Sequence, residues 1–298
     1  MGERGMHAAG KENPWVRDAL GARRRMPAWL AVAVAAGYSV GILTLFRSQA
    51  AALQQTFAGM TSGVPSPWSD ILVSGALQGM VFGLFLLFAL LATGWERRPL
   101  LRPGTAPVPY LALGLTCGGL GFAAAVGLAY LAGVVTPAAP QQPLAGPIAV
   151  GAALVVAQSL AEEAFFRGWL QPIVCARWGG WIGLVVTSLL FAGLHVIAGA
   201  QGWLAVLNLF LGGLLFGLLA LRTGGLLAPA AAHFAWNWTE SGVLGLVPDP
   251  AGSLVQLKLA GPVLWSGGAD TMNGSLATTL VLALLTGGLL LLRPRPQT

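Results

Sequence analysis

Apolar residues run along this chain in long blocks, not in the alternation of a half-buried strand or the single stripe of a soluble helix. A helix needs about 20 apolar residues to cross a bilayer. Eight segments reach or approach that length: 27–46, 71–93, 108–135, 147–176, 181–198, 203–221, 225–247 and 276–292. The fold predicted is an all-α polytopic membrane protein of about eight transmembrane helices. The order divides into a basic tail (1–26), three N-terminal helices (27–146), a core of helices four to seven (147–247), and a last loop, helix and short basic tail (248–298). The stretch 248–275 is semi-apolar and rich in Gly and Pro, and fits an exposed loop, a re-entrant turn or an interfacial helix. Asn13-Pro14-Trp15 is a helix start, with an N-cap residue followed by Pro at the first helical position. The tail is accordingly read as an interfacial helix or as disordered.

Composition agrees with the pattern. Of 298 residues 56% are hydrophobic and only 9% charged, against about 25% charged in a soluble domain. The 42 glycines suit helices that approach closely within a membrane. A net charge of +6 raises the question of nucleic acid, but the basic residues sit beside apolar segments, where positive-inside bias and anionic headgroups account for them. No nucleic-acid partner is expected. Arg97, Arg98, Arg102, Arg177, Arg222, Arg293 and Arg295 fall, with the N-terminal tail, at one set of helix ends. The alternate loops hold only Arg47 and Lys258. Eight helices with both termini cytoplasmic satisfy this distribution. The excess of Arg over Lys points to a GC-rich bacterial gene and so to a bacterial cytoplasmic membrane. Cys117 and Cys175 make no disulfide framework and are expected as free thiols. The first residues do not have the layout of a cleavable signal peptide.

Against this background a few polar residues stand out. Glu162, Glu163 and Arg167 lie in the fourth helix, His195 in the fifth, and His233 and Asn237 in the seventh. An ionisable group costs on the order of 3 kcal/mol or more at the centre of a membrane helix, so such a gathering needs a function or a partner. Glu163 and Arg167 are four apart, the spacing that brings two side chains together on one helix face and pairs their charges. Glu162 lacks that partner. It is free to hydrogen-bond a neighbouring helix as a neutral acid, or to act as a general base toward water held by an imidazole. Glu162 and His195 lie at matched depths, each roughly 21 Å from the basic ends of their helices at about 1.5 Å per residue. His233 and Asn237 share a helix face. A neutral His and a carboxamide there can donate to a developing oxyanion. Glu240, one face-repeat further on, has no role in this reading beyond a supporting or interfacial contact. Two His and one Glu can also hold Zn²⁺ with an open water position, so Glu162, His195 and His233 are the metal candidates. No H-E-x-x-H spacing supports that choice.

E-E-x-x-x-R, F-x-x-x-H and H-x-x-x-N, in this order on successive membrane helices, resemble the CPBP family of intramembrane endopeptidases. That family groups CAAX prenyl proteases with bacteriocin-processing and self-immunity (Abi) proteins. The match covers about 148–247, and every motif position is filled. The resemblance implies peptide-bond hydrolysis inside the membrane. Glu162 would be the general base, aided by His195. His233 and Asn237 would form the oxyanion site, with Glu163 and Arg167 supporting its geometry. The implied partners are a peptide or membrane-protein substrate and the lipid bilayer. The family has been described both as metal-dependent and as metal-independent, so the cofactor stays unknown, with Zn²⁺ as the candidate. The alternative is a non-catalytic transporter, or an immunity or binding protein, using the Glu–His cluster as a proton relay or ligand site.

Overall fold

The computed structural model describes residues 13–139 and 145–291; the basic residues expected at the extreme termini, Lys11, Arg293 and Arg295 among them, lie outside the described residues. The described chain is helical throughout except for one small sheet. Helix α1 (Pro14–Gly21) is capped by Asn13, whose side chain accepts from the backbone amides of Trp15 and Val16, as the Asn-Pro start predicts. It is docked on the protein: Trp15 is buried with Ala220 and Leu226, and the Asn13 amide donates to the Leu221 carbonyl at 2.7 Å.

Two long helices follow, α2 (Ala28–Met60) and α3 (Trp68–Glu96). The third span begins as α4 (Pro107–Leu115), passes through a π segment at Thr116–Leu120, and continues as α5 (Gly121–Leu131). The fourth is α6 (Ala145–Glu163), a π segment at Ala164–Leu170, and α7 (Gln171–Trp178). Gly179, at φ 91°, takes a conformation other residues resist, and the chain turns there into α8 (Gly180–Ala198). Helix α9 (Trp203–Thr223) closes at Gly224 and is followed by α10 (Leu227–Trp238), which runs into a π segment at Thr239–Val243. A four-residue helix, α11 (Val263–Ser266), and a 3₁₀ segment (Gly268–Gly274) lead to α12 (Leu276–Leu291).

Seven of these helices are long and apolar enough to cross a membrane. The protein is a multi-pass integral membrane protein with an all-α fold. The segment expected as the seventh of eight spans, 225–247, folds as the shorter run α10 with its π extension, below that length. The stretch 248–275 is a largely irregular segment with many exposed residues, including Leu254 and Val263, broken by a short strand and two short helical turns. It threads back along the end of α10, with the Leu254, Val255 and Leu257 amides donating to the Gly242, Val243 and Leu244 carbonyls. Its strand β2 (Leu257–Leu259) then pairs antiparallel with β1 (Val135–Pro137), Val135 opposite Leu259. Cys117 and Cys175 are free thiols.

Two features fix the helices that carry the polar residues. Gly114 and Gly118, one turn apart, let the third span press against the backbone of α10 at Ala228 and Ala232; a Cβ on either would collide with that backbone. This small-residue contact replaces the hydrophobic drive that lipid cannot supply between membrane helices. On the other side Phe165, Phe166 and Trp169 of the π segment are fully buried, and Phe165 meets Phe85 edge-to-face at 4.9 Å. The π segment after Glu163 is thus held by rings at its sides, and α10 by backbone contact.

Candidate active site

The motif E-E-x-x-x-R straddles the point where α6 changes to π winding. Single π turns inside α-helices occur frequently at functional sites because they shift side chains out of the regular register. Glu163 and Arg167 make the contact their spacing predicts: Arg167 Nη1 donates to Glu163 Oε1 at 2.8 Å. Arg167 Nη2 donates to the Gly213 carbonyl of α9 at 3.0 Å. The rings of Phe191, Phe216 and Phe166 surround the guanidinium at 4.7, 5.5 and 5.7 Å. A charge with no exposure is thereby met by one carboxylate, one carbonyl and three π faces.

The same Glu163 Oε1 lies 2.9 Å from His233 Nδ1. A carboxylate already accepting from Arg167 can only accept again, so Nδ1 carries the proton and donates. In a neutral ring Nε2 then presents a lone pair. His233 can donate from Nε2 only when doubly protonated, with its positive charge facing Glu163. The ring stacks on Phe216 at 4.8 Å and 17° between planes, which fixes its orientation.

Glu162 faces another way. Its Oε1 accepts from Gln158 Nε2 at 3.3 Å, and its Oε2 is buried without a hydrogen-bond partner. That second oxygen lies 3.9 Å from His195 Nε2. His195 Nδ1 donates to the Phe191 carbonyl at 2.8 Å, so a neutral ring turns the Nε2 lone pair toward Glu162. The pair is asymmetric: the Glu162 side chain is 3% exposed and that of His195 26%. His195, His233 and Asn237 line one cavity of about 370 Å³, together with Phe191, Phe216 and Trp236.

The structure thus brings the six expected residues into one neighbourhood, five of them in two groups and Asn237 on the cavity wall. Glu163, Arg167 and His233 are in direct contact, and Glu162 faces His195. Sequence reasoning, in its metal-candidate set, put both histidines with Glu162, whereas His233 contacts Glu163. It also missed Gln158, which stands four residues before Glu162 and was open to the same spacing argument. Gln78, Asn208 and Asp249 line the cavity as well, and nothing local in the sequence links them to it. Among the described residues no group of three or more His, Cys, Asp or Glu is arranged to hold a metal ion. Glu162, His195 and His233 are not drawn together into such a three-donor group. These residues as arranged do not fit Zn²⁺ ligation.

Residues 144–239 match the family model described as "Type II CAAX prenyl endopeptidase Rce1-like". This segment is similar to that family. It contains the whole polar neighbourhood, from Gln158 to Asn237, and bears out the resemblance drawn from the motifs. An Escherichia coli relative described as "Uncharacterized 24.3 kDa protein" is 38% identical over 90 residues, covering 30% of this chain and 38% of that protein. The chain thus spans well under half the length of that relative. No solved structure matches it. Glu240 falls just past the Rce1-like segment, is buried, and accepts from the Thr271 hydroxyl at 3.0 Å.

Proposed function

We propose that the chain is an intramembrane endopeptidase that hydrolyses a peptide bond with water activated between Glu162 and His195. The observation that carries this reading is the buried, unpartnered Glu162 Oε2 facing the Nε2 lone pair of a His whose tautomer is set by a backbone carbonyl. The gap of 3.9 Å between those atoms is too long for their own hydrogen bond, so a water drawn in with the substrate is the group that would join them. Glu162 takes a proton from that water as its oxygen attacks the substrate carbonyl, and returns it to the leaving nitrogen as the bond breaks. General-base action of this kind is worth roughly 10²–10⁴-fold in rate.

The negative charge on the carbonyl oxygen is met by Asn237 Nδ2 and by His233 in its doubly protonated form. Glu163 holds that form, and Arg167 holds Glu163. A donor of this type contributes about 3 kcal/mol to the transition state. Cutting inside a membrane also requires that the peptide bond be exposed to water only where it reacts, and the cavity between helices provides such a place. The substrate class is a peptide or a membrane-protein segment, presented from the bilayer.

The test is quantitative N-terminal proteomics on membranes from cells carrying wild type or Glu162→Gln at equal abundance. Peptide ends that appear with wild type and vanish with the mutant are the expected result and would name substrates. Identical termini in both, with the mutant folded and expressed, overturn the reading in favour of transport or binding.

A further inference from the structure

Four carboxylates are buried among the described residues: Glu96, Glu162, Glu163 and Glu240. Three face a basic group. Glu96 pairs with Arg98, Glu163 with Arg167 and His233, and Glu162 faces His195. Glu240 is the exception: at 5% exposure it makes one hydrogen bond, from the neutral hydroxyl of Thr271, and no ion pair among the described residues. A buried carboxylate with a single neutral donor is under-compensated, and such a group calls for a cation or a proton. Glu240 also lines the same cavity as His195 and His233. A second acid, Asp249, lines it too, whereas no Lys or Arg does. The two acids on this cavity wall thus have no basic neighbours among its lining side chains other than the imidazoles of His195 and His233.

We infer that Glu240 is a specificity-determining residue that receives a basic side chain, Lys or Arg, of the peptide substrate. This rests on the endopeptidase reading and assigns its substrate class more narrowly. The placement sets the register. Glu240 lies three positions beyond Asn237 and seven beyond His233 on one helical run, roughly 5 and 10 Å along the axis. An extended peptide advances about 3.3 Å per residue. The basic residue therefore sits within about three residues of the bond held at His233 and Asn237. Thr271 holds the carboxylate from the segment that covers this end of the cavity, at a backbone conformation (φ 50°, ψ −145°) that a β-branched residue rarely adopts. That contact leaves the second carboxylate oxygen for the guest.

Purified full-length protein in nanodiscs would be given apolar peptides that differ at one scanned position, Lys, Ala or Glu. Wild type is expected to cleave the best Lys peptide on the order of tenfold faster in kcat/KM than its Ala or Glu counterparts. Glu240→Gln keeps an acceptor for Thr271 and should collapse that ratio. Lys, Ala and Glu peptides cleaved alike by wild type, or a Lys preference that survives Glu240→Gln, would overturn the subsite; the wild-type ratio needs no mutant to fold. Peptide binding to Glu162→Gln protein, read by fluorescence anisotropy, separates this from the reading beneath it. Lys-selective binding that is lost in Glu162→Gln/Glu240→Gln, with no cleavage by wild type, would keep the cation subsite and overturn the endopeptidase. Neither cleavage nor selective binding would overturn both.

Discussion

The chain buries two arginine–glutamate pairs, and they are held in opposite ways. At the basic end of the bundle Arg98 Nε donates to Glu96 at 2.8 Å, and its two terminal nitrogens donate to the Gly168 and Trp169 carbonyls at 2.8 Å each. Every branch of that guanidinium is used, and it ties the end of α3 to the π segment after Glu163. Arg167, the residue just before Gly168 in that segment, uses only its terminal nitrogens, and its Nε has no hydrogen-bond partner. Its glutamate is spread further: Glu163 Oε1 serves Arg167 and His233 together, and Oε2 has no partner. The first pair is saturated and holds helices together. The second keeps unused capacity beside a histidine, at a cost that a purely structural pair would not need to bear. The two pairs are equally buried and differ in how much hydrogen-bonding capacity they leave unused.

This contrast can be broken experimentally, and Glu163→Gln should have the largest effect. It removes the charge facing both Arg167 and His233, so unfolding free energy should fall by about 3 kcal/mol. Turnover of the surviving folded protein should drop by about 10²-fold. Chemical denaturation and peptide cleavage on the same preparation measure the two losses. Arg98→Ala comes next and should separate them: about 3 kcal/mol of stability is lost because Glu96 stays buried without a counter-charge. Cleavage per folded molecule should stay within roughly twofold, since Arg98 touches nothing in the cavity. Comparable losses of cleavage in Arg98→Ala and Glu163→Gln would erase the distinction between the pairs.

His195→Gln is the complementary case. Its ring bonds only a backbone carbonyl of its own helix and is partly exposed, so stability should change by about 1 kcal/mol or less. Turnover should fall by roughly 10²-fold. Gln158→Leu should be the mildest. It frees Glu162 Oε1 from a 3.3 Å hydrogen bond, and turnover should change several-fold in kcat with little effect on KM.

Much of this arrangement was legible in the sequence because helical spacing carries it. The Glu163–Arg167 contact follows from four positions on one helix, and the Asn13 cap from the residue types at a helix start. The three motifs also come together in space. What escaped reading was decided by contacts remote in sequence or by departures from regular winding. His233 reaches Glu163, not its neighbour Glu162, and the choice depends on the direction each carboxylate takes at the α-to-π change, which apolar periodicity does not record. Arg98 was counted only as a loop charge, although two of its donors find carbonyls of the π segment that passes beside it and the third finds Glu96. The covering stretch 248–275 has no periodic pattern of its own. Its course is set by backbone pairing with β1 and with the end of α10.

The most direct test of the central claim is cleavage of one defined peptide by purified Glu162→Gln and wild-type protein, with the thermal unfolding of both recorded in the same detergent. Unchanged unfolding with cleavage reduced by about 10²-fold or more is the predicted result. Equal cleavage rates from two equally folded proteins would contradict it.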